Sequence, residues 1–318
     1  MNHDHAHGHA HDHGHAKAPS HNRAFVIGIA LNVAFVSIES VFGVLAHSTA
    51  LLADAAHNLS DVLGLLMAWA AATLARRPAS RVHTYGFRRS TILAALANAL
   101  LLIGAVGAVA WEAIGRLRVP AEAHAGTMMW VAAAGVVVNA VSAFFFHERG
   151  GAHAHAHGHG DMNMRGAFLH LLADAAVSAG VVIAGLVLMQ TGWRWVDPVT
   201  SLIVSVVILF GTWSLLRDAL HLAMDGVPKH IDVEKVRAYL AALPEVSSVH
   251  DLHIWAMSTT EVALTAHLVV PWKSTPPAFL AGIDHALEEH FGIAHTTLQL
   301  EPLGSDCALT AEACTPTV

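Results

Sequence analysis

The chain has 318 residues, 54% of them hydrophobic and only 13% charged, with a mean hydropathy of +0.50. Soluble domains carry about 25% charged residues, so the composition excludes an ordinary soluble protein and points to the bilayer. The formal charge of −7 says little beside 26 histidines, whose unperturbed pKa of about 6.5 leaves many partly protonated near neutral pH.

The N-terminal tail, residues 1–21, opens MNHDHAHGHAHDHGHAK. It has no apolar core and no cleavage-like site, so it does not read as a signal peptide. Histidine alternates with Ala, Gly and Asp over residues 3–15, and a second tract, HAHAHGHG, sits in a loop at 150–161. Such tracts cannot build a core, but many neutral imidazoles hold soft divalent metals loosely.

Six apolar stretches follow, near 24–45, 51–75, 91–111, 127–146, 167–189 and 199–216. Each approaches the roughly 20 residues a helix needs to cross a bilayer, which predicts an all-α six-helix transmembrane bundle over residues 22–226. Lys17, Arg23, Arg76, Arg77, Arg81, Arg88, Arg89, Arg149, Arg165, Arg217 and Lys229 fall on one side; only Arg116, Arg118 and Arg194 fall on the other. Basic loops stay inside, so both termini are expected in the cytoplasm.

The composition turns soluble over residues 227–303. DVEKVRAYLAALP reads as an amphipathic helix with Val233, Val236, Leu240 and Leu243 on one face. Two alternating strand-like runs follow, VSSVHDLHIWAM and EVALTAHLVV, then a helix, PAFLAGIDHALEEHFG, and a strand, TTLQLEP, with His295 just ahead of it. The order αββαβ predicts a small α+β domain with helices on one sheet face. Residues 304–318 form a polar tail holding both cysteines, Cys307 and Cys314. They offer no disulfide framework and suit a reducing compartment.

The chemistry-bearing residues lie inside the apolar stretches. His57 and Asp61 stand four apart in LLADAAHNLSDVLG; His170 and Asp174 repeat that spacing in AFLHLLADAAVSAG. A spacing of four puts both side chains on one helix face. Two such helices facing each other offer two imidazoles and two carboxylates, a donor set for tetrahedral Zn²⁺. Each ionisable group costs at least about 2.5–3.5 kcal/mol at a bilayer centre and marks an ion path by default.

Other polar groups leave alternatives open. LLADAA occurs at 51–56 and at 171–176, so aligning the repeats would pair Asp54 with Asp174. Asp54 is therefore an alternative ligand or proton-path residue, against a helix-start or vestibule role. Asn32, Asn98 and Asn139 read as interhelical hydrogen-bonding groups. Glu39, being ionisable, is open to a proton path as well. Asp197, just before Pro198, suits the N-terminus of its own helix.

With these residues in view the chain resembles the cation diffusion facilitator family, in its zinc-transporting branch. The resemblance rests on ALLADAAHNLSD, YGFRR, NMRGAFLHLLADA, VDPVTSL and VHDLHIWAM in that order. It implies a cytoplasmic ferredoxin-like domain, a homodimer, and export of divalent metal in exchange for protons. It assigns the transport site to His57, Asp61, His170 and Asp174, the set the spacing had selected. It also implies a cytoplasmic metal site at His250, His267 and Glu301, where Zn²⁺ would be structural. Gln299 stands where some relatives carry another histidine, and His253 reads as a strand residue outside that site.

Imidazole with carboxylate in a tetrahedron suits Zn²⁺ and Cd²⁺, tolerates Co²⁺, and disfavours octahedral Mg²⁺. No enzymatic activity, organic cofactor or nucleic-acid partner is expected, and the location expected is the inner membrane. The competing reading is a membrane-anchored metal store or sensor, suggested by the histidine tracts. It leaves the paired intramembrane His–Asp sites unexplained.

Overall fold

A computed structural model describes residues 22–119, 123–151, 159–271 and 277–303, with side chains over 33–119, 123–141, 172–271 and 278–303. The two histidine tracts, Cys307 and Cys314 lie outside the described side chains.

The apolar stretches form α1 (Asn22–Leu45), α2 (Thr49–Ala75), α3 (Ser90–Arg118), α4 (Ala125–Gly151), α5 (His159–Thr191) and α6 (Val196–Ala223). Among the described residues, α2, α3, the Leu172–Thr191 part of α5, and α6 are long and apolar enough to cross a membrane. In α1 and α4 the described apolar segments, Val33–Leu45 and Ala125–Val141, are shorter. Large apolar side chains stand exposed around the bundle: Trp69, Trp111, Trp130, Phe210 and Trp213 are each at least 63% accessible. A surface of that kind belongs against lipid.

With lipid outside, the helices hold together by close packing and internal hydrogen bonds rather than by the hydrophobic effect. Ala50, Leu51, Ala53, Leu102, Val106, Met128, Ala132 and Val181 form the bundle core. At Gly185 of α5 a Cβ would lie 3.1 Å from the Cβ of Met129 on α4, so the missing side chain lets the two backbones approach. At Gly135 a Cβ would lie 2.8 Å from the Phe35 ring and 3.2 Å from Ser178 Oγ.

The N-terminus of α2 is fastened from another helix. Ser48 is its cap, accepting from the Leu51 N–H at 3.2 Å. Asp197, fully buried on α6, accepts from Ser48 Oγ at 2.5 Å, from Thr49 N–H and Oγ1 at 2.8 Å each, and from Ala50 N–H at 3.2 Å. Asp197 stands in the first turn of α6, as its place before Pro198 suggests, but the hydrogen bonds of its carboxylate satisfy the orphan donors of α2 rather than those of its own helix.

The soluble part comprises α7 (Val233–Ala241), β1 (Ser248–Ala256), β2 (Val262–Val270), α8 (Pro277–Phe291) and β3 (Ile293–Pro302). The sheet order is β1-β2-β3, with β1 antiparallel and β3 parallel to β2. A parallel partner needs a crossover, and α8 supplies it. Val236, Leu240, Ile254, Leu264, Leu268, Ile283 and Leu287 fill the core under the helices. Asp232 caps α7, and the Lys235 backbone N–H bonded to it holds the carboxyl below its usual range. That cap is in force at neutral pH and is lost as pH falls through the lowered value.

β3 starts earlier than the sequence pattern suggests, at Ile293, so His295 lies on the strand opposite Ala263. The loop into α3 ties the two parts together. Arg88 pairs with Glu261 at 2.9 Å, Arg89 pairs with Asp225, and the Thr259 N–H donates to Thr91 Oγ1 at 3.1 Å. The YGFRR motif thus anchors the soluble domain to the bundle.

Candidate metal centres

α2 packs mainly against α3, α1 and α6 and meets α5 over a short stretch. The His–Asp pairs sit at that crossing. His57 Nε2 lies 3.1 Å from Asp174 Oδ1 across the interface and 3.8 Å from Asp61 Oδ2 one turn along its own helix. One ligand atom from each of His57, Asp61 and Asp174 falls within 4.8 Å of the others. Asp174 is nearly closed off at 7% side-chain exposure, whereas Asp61 keeps 32%. The cluster is thus sealed on the α5 side and open beside Asp61. His170 lies on α5 one turn before Asp174, and its side chain is outside the described residues. Two converging carboxylates and one imidazole suit a divalent cation of intermediate softness.

Asp54 is not in this cluster. It is fully buried and accepts from Ser178 Oγ at 2.7 Å. Glu39 of α1 is fully buried too, and Asn58 Nδ2 donates to its Oε2 at 3.0 Å. Asn98 accepts from Ser60 Oγ at 3.3 Å between α2 and α3, the interhelical role expected of it. Ser178 and Asn58 were absent from the sequence reading. Ser178 had a signal, since it follows Asp174 by four residues on one face of α5.

In the soluble domain His250 and His267 are cross-strand partners on β1 and β2, and Gln299 of β3 stands opposite His267. Glu301 is on β3 opposite Val269. Its two oxygens reach different rings: Oε1 is 3.0 Å from His267 Nδ1, and Oε2 is 3.3 Å from His250 Nε2. The three groups offer ligand atoms within 4.8 Å of one another. Gln299 Nε2 donates to Glu301 Oε1 at 3.0 Å, so it orients the carboxylate.

Asp251 carries no signal in the strand pattern of the sequence. The β1–β2 register breaks between His250 and His253, and Asp251 sits in the break with φ 50°. Its carboxylate lies 3.5 Å from His267 Nε2 and 2.9 Å from His253 Nε2. A carboxylate behind a histidine fixes the orientation of its ring. Two imidazoles, one carboxylate and an oriented ring fit a zinc-type ion, with a fourth position left for another donor.

Long apolar helices around a buried His–Asp cluster, joined to a small α+β domain, define an integral membrane protein with a soluble appendage. Residues 25–222 match the cation efflux transmembrane domain, and residues 228–303 match the cytoplasmic domain of cation efflux proteins. The chain belongs to the cation efflux, or cation diffusion facilitator, family.

Among its relatives is zinc transporter ZitB of Escherichia coli, 36% identical over 313 residues that cover 97% of this chain and 96% of that protein. The metal cation efflux system protein CzcD of Cupriavidus metallidurans is 36% identical over 282 residues, covering 88% and 87%. A cadmium, cobalt and zinc/H(+)-K(+) antiporter of Bacillus subtilis is 33% identical over 304 residues, covering 95% and 92%. The solved metal-bound C-terminal domain of the CzcD transporter is 36% identical over 22% of this chain and 99% of its own, with a TM-score of 0.20. The family is one of metal transporters rather than enzymes.

Proposed function

We propose that the protein exports Zn²⁺ from the cytoplasm across the inner membrane in exchange for protons, accepting Cd²⁺ and also Co²⁺ or Ni²⁺. The observation that carries this reading is the convergence of His57, Asp61 and Asp174 at the thinly packed crossing of α2 and α5, with zinc, cadmium and cobalt in the names of the relatives. In this reading residues 22–226 are the transport unit, and His170 completes the ligand set. Residues 227–303 are the cytoplasmic unit, through which two copies pair.

Binding requires a neutral imidazole and ionised carboxylates, so metal and protons compete for the same groups. Zn²⁺ enters beside Asp61, the more accessible carboxylate, and is gripped by His57 and Asp174. The short α2–α5 contact then lets the cluster open on the other side. External protons displace the ion, with the histidines as the best carriers. In the soluble domain His250, His267 and Glu301 would hold a Zn²⁺ that steadies the dimer, with Asp251 and Gln299 orienting two of them. Zinc flux into proteoliposomes driven by a pH gradient tests the proposal. A gradient-dependent flux supports it; binding without flux favours a store or sensor.

Selectivity should follow the donor set. His57→Asp replaces a borderline nitrogen by a hard oxygen, so zinc preference should weaken and harder or larger ions should enter. Competition assays with Cd²⁺, Co²⁺ and Mn²⁺ measure this, and an unchanged ion ranking would remove His57 from selection. Deleting residues 2–16 should lower the apparent zinc affinity and spare the maximal rate, because imidazole-rich chain collects ions without organising a site. Initial rates over a wide range of free zinc decide it: identical curves make the tract dispensable, and a lost plateau makes it part of the transport machinery.

A further inference from the structure

Two buried acids beside the transport cluster have no part in the ligand chemistry above. Glu39 and Asp54 are both fully buried, on adjacent helices. Asn58, which donates to Glu39, follows Asp54 by four residues, which places Glu39 against the α2 face that carries Asp54. Each carboxyl has one oxygen held by a neutral donor, Asn58 Nδ2 on Glu39 and Ser178 Oγ on Asp54. Each has one oxygen, Glu39 Oε1 and Asp54 Oδ1, buried with no hydrogen-bond partner.

Carboxylates only accept hydrogen bonds. Two of them facing each other across adjacent helices, away from water, repel, and a proton held between them relieves that repulsion. On the described parts of α1, α2 and α5 the other titratable side chains are His57, Asp61 and Asp174. The described part of α4, residues 125–141, has no titratable side chain, and those of α3 and α6 lie toward the helix ends. Among the described residues no lysine or arginine lies on these helices near the pair. A proton between the two orphan oxygens would satisfy both.

We propose that Glu39 and Asp54 share one proton in the metal-free protein and release it when a divalent ion occupies the His57–Asp61–Asp174 cluster. The inference rests on the transport reading of that cluster. Asp54 and His57 stand three residues apart on one helix, so the two sites are close neighbours. A divalent ion in the first repels the proton in the second. The step balances: the O–H bond of the shared proton breaks, the electron pair stays on the carboxylate, the pair goes from one negative charge to two, and H⁺ leaves to solvent. On return from the other side a proton re-forms the bond as the metal departs. The pair thus adds a coupling proton to those displaced from the ligands, and its proton belongs to the pair rather than to either residue.

Zinc titration of the purified full-length protein in buffers of differing ionisation enthalpy counts zinc bound and protons released, and infrared difference spectra show whether a protonated carboxylic acid disappears. The wild type should bind zinc and lose a carboxylic-acid C=O band as it does so. Glu39→Gln and Asp54→Asn should still bind zinc at the same stoichiometry, lack that band, and release about one proton fewer per zinc. Ser178→Ala, which keeps both acids but removes the donor to Asp54, should shift the band and gives the same assignment if the other variants fold poorly. A missing band in the metal-free wild type, a band indifferent to Ser178→Ala, or an unchanged proton count with zinc still bound would overturn the proposal. So would loss of one bound zinc in Glu39→Gln, which would make the pair a metal site. Failure of the wild type to bind zinc at the α2–α5 cluster would instead overturn the transport reading.

Discussion

Asp174→Ala is expected to abolish zinc flux while leaving a folded, membrane-inserted protein. Asp174 is the carboxylate that α5 contributes to the cluster, nearly closed from solvent and 3.1 Å from His57 Nε2. Its loss removes one anionic donor and the side chain that draws His57 toward α5. Even residues behind the ligands are worth about 10–100-fold in metal affinity, so losing a donor should weaken zinc by more than about 100-fold. The substitution shortens a side chain in a helix that Ala suits well, so stability should change little. Initial zinc flux in proteoliposomes, beside size-exclusion profiles of wild type and variant, separates the two effects. Wild-type flux in Asp174→Ala would remove Asp174 from the site.

The convergence of His57, Asp61 and Asp174 is legible in the sequence because helix periodicity is local. Residues four apart share a face whatever the rest of the chain does, and ionisable groups inside apolar runs draw notice through their cost. The αββαβ order was legible for the same reason, since alternation in β1 and β2 and the apolar stripe of α7 repeat over short distances. What stayed hidden depends on contacts far apart in sequence. Asp197 reaches α2 across 148 residues to meet Thr49, so a rule that seeks caps nearby assigns its hydrogen bonds to the wrong helix. Glu301 reaches His250 and His267 only because β3 adds in parallel to β2. Asp251 faces His267 through an irregularity in the β1–β2 register, which strand alternation cannot foresee. Asp54 had drawn notice through the repeated LLADAA string, yet its place outside the cluster follows from Ser178 and Glu39 on other helices.

Asp197→Ala should be among the most destabilising substitutions in the bundle. Ser48, Thr49 and Ala50 are fully buried, and Asp197 is 1% exposed. The N–H groups of Thr49 and Ala50, which Asp197 accepts, therefore cannot turn to water once the carboxylate is gone. The Ser48 and Thr49 hydroxyls can rotate toward other acceptors, but the backbone donors have nowhere to go. A buried donor left unsatisfied costs about 1–3 kcal/mol, so two of them put the loss at roughly 2–6 kcal/mol. The α2 N-terminus also loses the negative charge that its dipole favours. For a domain of this size each kcal/mol moves the unfolding midpoint by about 2–4 °C. Thermal unfolding of the purified protein in detergent should therefore show a drop of roughly 4 °C or more. Asp197→Asn should fall between, since its Oδ1 still accepts while its Nδ2 faces a donor. Because α2 carries His57 and Asp61, the Ala variant should also bind zinc more weakly at temperatures where it remains folded. An unchanged midpoint in Asp197→Ala would mean that the N-terminus of α2 is held by other groups and that the carboxylate is not its fastening.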